Sequence, residues 1–142
     1  MKILFDTCII IDALQNREPF AENAQELFLY VANRKLDGFI TAKSTTDIYY
    51  LMHRCTHSDV ETRSVLKRIF WLFELLDTAG TDCKYAVSSE VSDYEDAVMI
   101  ETALRTGMDG IVTRNVKDYS KSSVNVYTPE ELIEKLTEIS EE

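Results

Sequence analysis

Four aspartates stand where the chain could gather carboxylates: Asp6, Asp47, Asp96 and Asp118. A carboxylate turned toward a protein interior is costly unless it is paired or holds a cation. Several close together also repel, and each raises the pKa of the others. A divalent cation removes both penalties. The two histidines, His53 and His57, form no zinc-type spacing with the three scattered cysteines. An all-oxygen ligand set of this kind suits Mg²⁺ or Mn²⁺. Each acid also has a plain structural reading. Asp93 and Asp96, three residues apart, read as an N-cap and a first-turn acid. Asp47 follows Ser44 by three residues and reads as a local capping partner, and Asp118 reads as a loop residue. Asp6 resists such a reading, because a lone acid closing an apolar strand seldom serves packing.

The elements that must position these acids follow from hydrophobic spacing. Lys2 to Phe5 is a short apolar run ending at Asp6, the pattern of a buried strand and then a turn. Residues 20–33 carry Phe20, Ala24, Leu27, Phe28 and Val31 at helical spacing. Asp37-Gly38 breaks that pattern, and residues 39–42 read as a second strand. Ser44 then caps a helix with Ile48, Leu51, Met52 and Cys55 on one side. Residues 59–72 predict another helix, striped by Val65, Leu66, Ile69 and Leu72. Residues 73–76 read either as a third strand or as the end of that helix. Ser92 or Asp93 caps the next helix, which runs to Arg105 and is closed by Gly107. Residues 110–113 and 124–127 are short strands. Thr128-Pro129-Glu130-Glu131 opens the last helix with an N-cap, a first-position proline and a capping-box glutamate.

Strands alternating with helices imply an α/β fold, a parallel sheet covered on both faces. Ligands of such sheets gather at the C-terminal edge of the strands, where this pattern places all four acids. Helical phase adds to two of them. Asp96 precedes Ile100 by four residues and Ala103 by seven, and Asp47 precedes Leu51 by four, so both border apolar faces.

The 142 residues suit one domain over 1–142, with 45% of residues apolar and 28% charged. No apolar run is long enough to span a membrane, and the N-terminus lacks a signal-peptide pattern, so a cytoplasmic protein is expected. Cys8, Cys55 and Cys83 are expected as reduced, mostly buried thiols. A formal net charge of −10 argues against a protein that coats nucleic acid through bulk positive potential. The charge is uneven, however. Residues 130–142 hold six glutamates against one lysine, while Lys43, Arg54, Arg63, Lys67 and Arg68 make the segment 43–68 locally basic. One such patch is enough to grip a short nucleic-acid stretch.

Taken in order, these segments resemble a known family. Ile3-Leu4-Phe5-Asp6-Thr7 looks like the first motif of PIN domains, including the VapC-type toxins of toxin–antitoxin pairs. Ser92-Asp93-Tyr94-Glu95-Asp96-Ala97, followed by Thr102-Ala103-Leu104, resembles their third motif. Ile111-Val112-Thr113-Arg114-Asn115-Val116-Lys117-Asp118-Tyr119 is similar to their closing motif. One departure stands out: many members carry glutamate at the second acidic position, where this chain has Asp47 in Thr45-Thr46-Asp47-Ile48-Tyr49-Tyr50. The resemblance implies a three-layer α/β/α sandwich around a five-stranded parallel sheet of order 3-2-1-4-5. It implies Mg²⁺- or Mn²⁺-dependent RNA cleavage, with Asp6, Asp96 and Asp118 holding one or two cations and Asp47 helping directly or through water. It gives Thr113 and Asn115 the role of orienting acids or water. It also brings with it a homodimer and an antitoxin protein as partners.

Asp93 reads as a further metal ligand or as a helix cap. Arg114 and Lys117 flank the acids and read as phosphate contacts. Tyr49, Tyr50, Phe70, Trp71 and Phe73 read either as base-stacking groups or as core and dimer packing. Two rivals to the nuclease reading are a receiver-like signalling domain and a PIN scaffold without catalysis that binds RNA or protein. The first wants an acidic pair at the first strand end and a late strand-end lysine, neither of which this chain has.

Overall fold

The computed structural model describes residues 1–141, and the side chain of Asp118 lies outside the described part. The chain folds as β1 (Lys2–Phe5), α1 (Thr7–Leu14), α2 (Ala21–Ala32), β2 (Asp37–Thr41), α3 (Ser44–Thr56), α4 (Asp59–Leu72), β3 (Glu74–Leu76), α5 (Gly80–Val87), α6 (Tyr94–Thr106), β4 (Gly110–Val112), β5 (Val126–Tyr127) and α7 (Pro129–Glu141). A 3-10 turn, Val116–Tyr119, follows β4. The five strands are all parallel, in the order β3-β2-β1-β4-β5, as the resemblance implies.

Side-chain alternation along β1 builds two cores. Ile3 and Phe5 pack into one cluster with Ile9, Leu27, Ile48, Ile69 and Leu132 from α1, α2, α3, α4 and α7. Leu4 points the other way, with Ile111 of β4 and with Ala86, Ala97, Ile100 and Ala103 of α5 and α6. Helices therefore cover both faces, and the architecture is a three-layer α/β/α sandwich.

Residues 73–76 resolve into the strand β3, because Phe73 takes an extended backbone and ends α4. Ser44 is not a cap. It is the first residue of α3, and its N–H and hydroxyl are both engaged by Thr41 Oγ1, at 3.1 and 2.6 Å. Asp93, rather than Ser92, caps α6. Gly107 closes that helix at φ 73°, a left-handed conformation that glycine adopts without strain. In α7 the expected capping box is present: Thr128 N–H donates to Glu131 Oε1, and Glu131 N–H to Thr128 Oγ1, each at 3.1 Å. All three cysteines are free. Cys55 is exposed, unlike the buried thiol expected: it keeps the phase of Ile48 but lies in the last turn of α3.

Candidate active site

β1 carries one residue of pairing beyond its last strand position. Asp6 N–H donates to Val112 O at 3.0 Å, which fixes Asp6 beside the end of β4. Next to it Thr113 is fully buried, and its hydroxyl donates to Asp6 Oδ2 at 2.7 Å. Burial holds the Asp6 carboxyl above its usual 3.8. The charge of Glu95 adds to that, while the Thr113 hydroxyl, Cys8 and the Thr7 backbone oppose it. Burial, and then the charge of Asp6, pushes the Cys8 thiol to about 11.

Asp96 approaches from α6. Its Oδ1 accepts a hydrogen bond from the buried Tyr119 hydroxyl at 2.9 Å. Burial first, then the charges of Asp6 and Asp96, raise the Tyr119 pKa, so the phenol keeps its proton and remains a donor. Asp6, Asp96, Thr113 and Tyr119 therefore share one neighbourhood, although they come from both ends of the chain. Asp93 accepts the Asp96 N–H at 3.0 Å and so acts as the N-cap of α6.

Asp47 lies further out. Its carboxylate is 3.5 Å from Lys43 Nζ, and the same ammonium is 3.1 Å from Glu95. Burial alone would lower the Lys43 pKa, but its bonds and attraction to Glu95 and Asp47 outweigh this and raise it. Lys43 was legible only as part of the basic segment 43–68, and Glu95 and Tyr119 only as members of the third and closing motifs. The aromatic of the closing motif shows its role only once its hydroxyl is seen to reach Asp96.

Arg114, expected as a phosphate contact, turns inward instead. Its Nε stands 2.6 Å from Oδ2 of the fully buried Asp12, and its Nη2 donates to Asp12 Oδ1 at 3.3 Å. Its guanidinium also lies 4.0 Å from the Phe20 ring centroid. The reason is electrostatic: a carboxylate with no exposed surface demands a partner. Lys117 stays exposed, and so does Asn115, whose N–H donates to Thr113 Oγ1 at 3.1 Å. Asp118 lies in the 3-10 turn, with its side chain outside the described part. Of the aromatics, Phe73 is core, while Trp71 is 90% exposed. Trp71 lines a cavity of about 760 Å³ with Lys2, Asp37 and Glu74, at the strand starts and so at the edge opposite the acids.

Among the described residues no group of three or more His, Cys, Asp or Glu is close enough to hold a metal. Asp6 and Asp96 supply two hard oxygen donors, and the third, Asp118, belongs to the undescribed side chain. The donor chemistry fits a hard divalent cation. A buried carboxylate with a raised pKa, sharing Tyr119 as a neighbour with a second acid, is stabilised by one.

Comparison with known proteins agrees with this architecture. A family model described as PIN domain matches residues 2–117. No curated protein sequence matches the chain. Among solved structures, a toxin–antitoxin complex from Klebsiella pneumoniae is 23% identical, with a TM-score of 0.65, covering 89% of this chain and 97% of its own. FitAcB from Neisseria gonorrhoeae is 18% identical at a TM-score of 0.66, covering 90% and 98%. VapBC2 from Rickettsia felis, bound to a DNA fragment from its promoter, is 15% identical at 0.63, covering 90% and 98%. At these identities the likeness is one of fold.

Proposed function

This chain belongs to the PIN-domain family, and from that membership and its acidic edge we propose that it is a metal-dependent endoribonuclease, the toxin of a toxin–antitoxin pair. The observation that carries the proposal is Asp6: a carboxylate with a raised pKa at the C-terminal edge of a parallel sheet, oriented by Thr113 and sharing Tyr119 as a neighbour with Asp96. The toxin role draws on the similar structures, which are toxin–antitoxin complexes. On this reading an antitoxin protein and a second copy of the chain are its partners.

Asp6, Asp96 and Asp118 would hold Mg²⁺ or Mn²⁺, with Asp47 as the outer acid. When bound, such a cation supplies Lewis acidity, making water nucleophilic near neutral pH and offsetting charge that builds on the phosphodiester. Thr113 fixes the face that Asp6 presents. Tyr119 does the same for Asp96 by holding its Oδ1. Asp93, engaged as a cap, serves the site by fixing the start of α6. Lys117 is the exposed cation of the closing loop and would meet a phosphate.

The test is cleavage of mixed-sequence RNA. Activity is expected with Mn²⁺, to be abolished by EDTA, and to fall by about 100-fold or more in Asp6→Asn, since even residues that only orient metal ligands are worth 10–100-fold. Cleavage that survives EDTA, or full activity in the variant, would overturn the mechanism. A wild-type protein that binds RNA without cutting it would mark a binding module.

A further inference from the structure

Asp47, Tyr50, Leu51 and Arg54 fall at i, i+3, i+4 and i+7, so they lie along one face of α3. With Thr7 and Glu95 they line an open cavity of about 470 Å³. Thr7 adjoins Asp6 and Glu95 adjoins Asp96, so the cavity opens beside the acidic edge. It is not a generic acidic surface. Lys43 bridges Asp47 and Glu95, which leaves their charge partly neutralised. Arg54 is exposed and makes no ion pair or hydrogen bond among the described residues. It stands about 10 Å from Asp47 along the helix axis, at 1.5 Å per residue.

Tyr50 is 64% exposed, so its ring is available to a ligand in this cavity. Its ring is braced from behind. It meets Tyr49 edge-on at 5.4 Å, and Tyr49 in turn stacks on His53 at 5.7 Å. The Tyr49 hydroxyl is tied to Asp59, which is itself paired with Arg63. A ring held this way loses little freedom when something stacks on it.

We propose that this cavity is a nucleotide subsite flanking the cleavage point, in which Tyr50 stacks on an unpaired base and Arg54 takes the adjoining phosphate. The inference rests on the nuclease reading and deepens it: the substrate is single-stranded RNA, or an unpaired loop, rather than a duplex. A stacked base must be splayed from its helix, and aromatic stacking is the sequence-tolerant way to hold one. Arg54 supplies the positive charge that the acidic mouth lacks, in a geometry suited to phosphate oxygens.

The test is anisotropy with a fluorescently labelled, mixed-sequence single-stranded RNA, run in EDTA so that no cleavage intervenes. Affinity is expected to fall by about 5- to 100-fold in Tyr50→Ala, the range for losing one stacked base. Tyr50→Trp in a Trp71→Phe background regains affinity, and its indole emission is quenched as RNA is added. Arg54→Ala weakens binding and flattens the salt dependence by about 0.7 in log–log slope, one phosphate contact. Both side chains are exposed, so melting temperatures stay at the wild-type value. If wild type binds and cleaves RNA while both alanine variants bind equally well, the subsite is wrong, the nuclease reading stands, and the face belongs to a protein partner. If wild type neither binds nor cuts RNA, the nuclease reading falls and the subsite with it. Tighter binding of a duplex than of the single strand also overturns the proposal.

Discussion

Thr113 has no exposed surface, and its hydroxyl meets Asp6, Asn115 and, at 3.9 Å, the Cys8 thiol. It donates to Asp6 Oδ2 at 2.7 Å and accepts the Asn115 N–H at 3.1 Å. The same oxygen therefore aims the acid and starts the turn that carries Asp118. Thr113→Val keeps the shape and removes both bonds. The expected result is a fall in kcat of about 10- to 100-fold, with a matching rise in the Mn²⁺ needed for half-maximal rate. KM for RNA is expected to stay nearly constant, because Thr113 reaches no solvent and so no substrate. An effect confined to KM would place the residue in RNA binding instead. The acids Asp6 and Asp96 were legible because strand end and helical phase are local properties. Asp12 was not. It sits in the apolar run Ile9–Ala13, and what makes it tolerable there is Arg114, 102 residues away. The pairing of Arg114 was hidden for the same reason.

At the scale of elements, α5 and α6 are joined by a second buried acid. Asp82 accepts from Arg105 at 2.9 Å, from Thr102 at 2.8 Å and from the Ala79 N–H at 2.9 Å. Burial alone would raise its pKa, but these three donors outweigh it and hold the carboxyl below its usual 3.8. A depressed pKa in the folded state contributes stability that is present above the unfolded value and lost as pH falls through the folded one. Asp82→Asn is therefore expected to cost about 2 kcal/mol near neutral pH, the scale of stranding buried donors. The gap to wild type should narrow below about pH 4. Denaturant unfolding at several pH values checks this, and a gap independent of pH would exclude the ionised carboxylate as its source. The helix α5 itself had no legible stripe, because its inward face presents Asp82 beside Ala86. Periodicity counts an aspartate as polar, and only the distant Arg105 turns it into a core residue. By contrast the start of α7 was legible outright, since N-cap, proline and capping-box glutamate all lie within four residues.

For the molecule as a whole, the formal net charge of −10 sets how it can meet RNA. Bulk attraction is unavailable, so binding must rest on a few exposed cations such as Arg54 and Lys117 against an unfavourable background. Each phosphate neutralised on a single strand contributes about 0.7 to the salt slope. A log–log slope of only about −1 to −2 is thus expected for RNA binding, measured by anisotropy across salt concentrations. A slope several times steeper would mean that many more phosphates are neutralised than these cations supply.

The central place of β1 between β2 and β4 has a consequence in time. Of the five strands the one bearing Asp6 is made first, yet one side of it stays open until β4 is made. Thr113 follows Asp6 by 107 residues, and Tyr119 comes later still. Until then Asp6 has neither its hydroxyl partner nor an opposing Asp96 held by a phenol. Competence thus arrives only once the segment after β4 is made. Under the proposed function, a nascent fragment leaves intact the message from which it is being read.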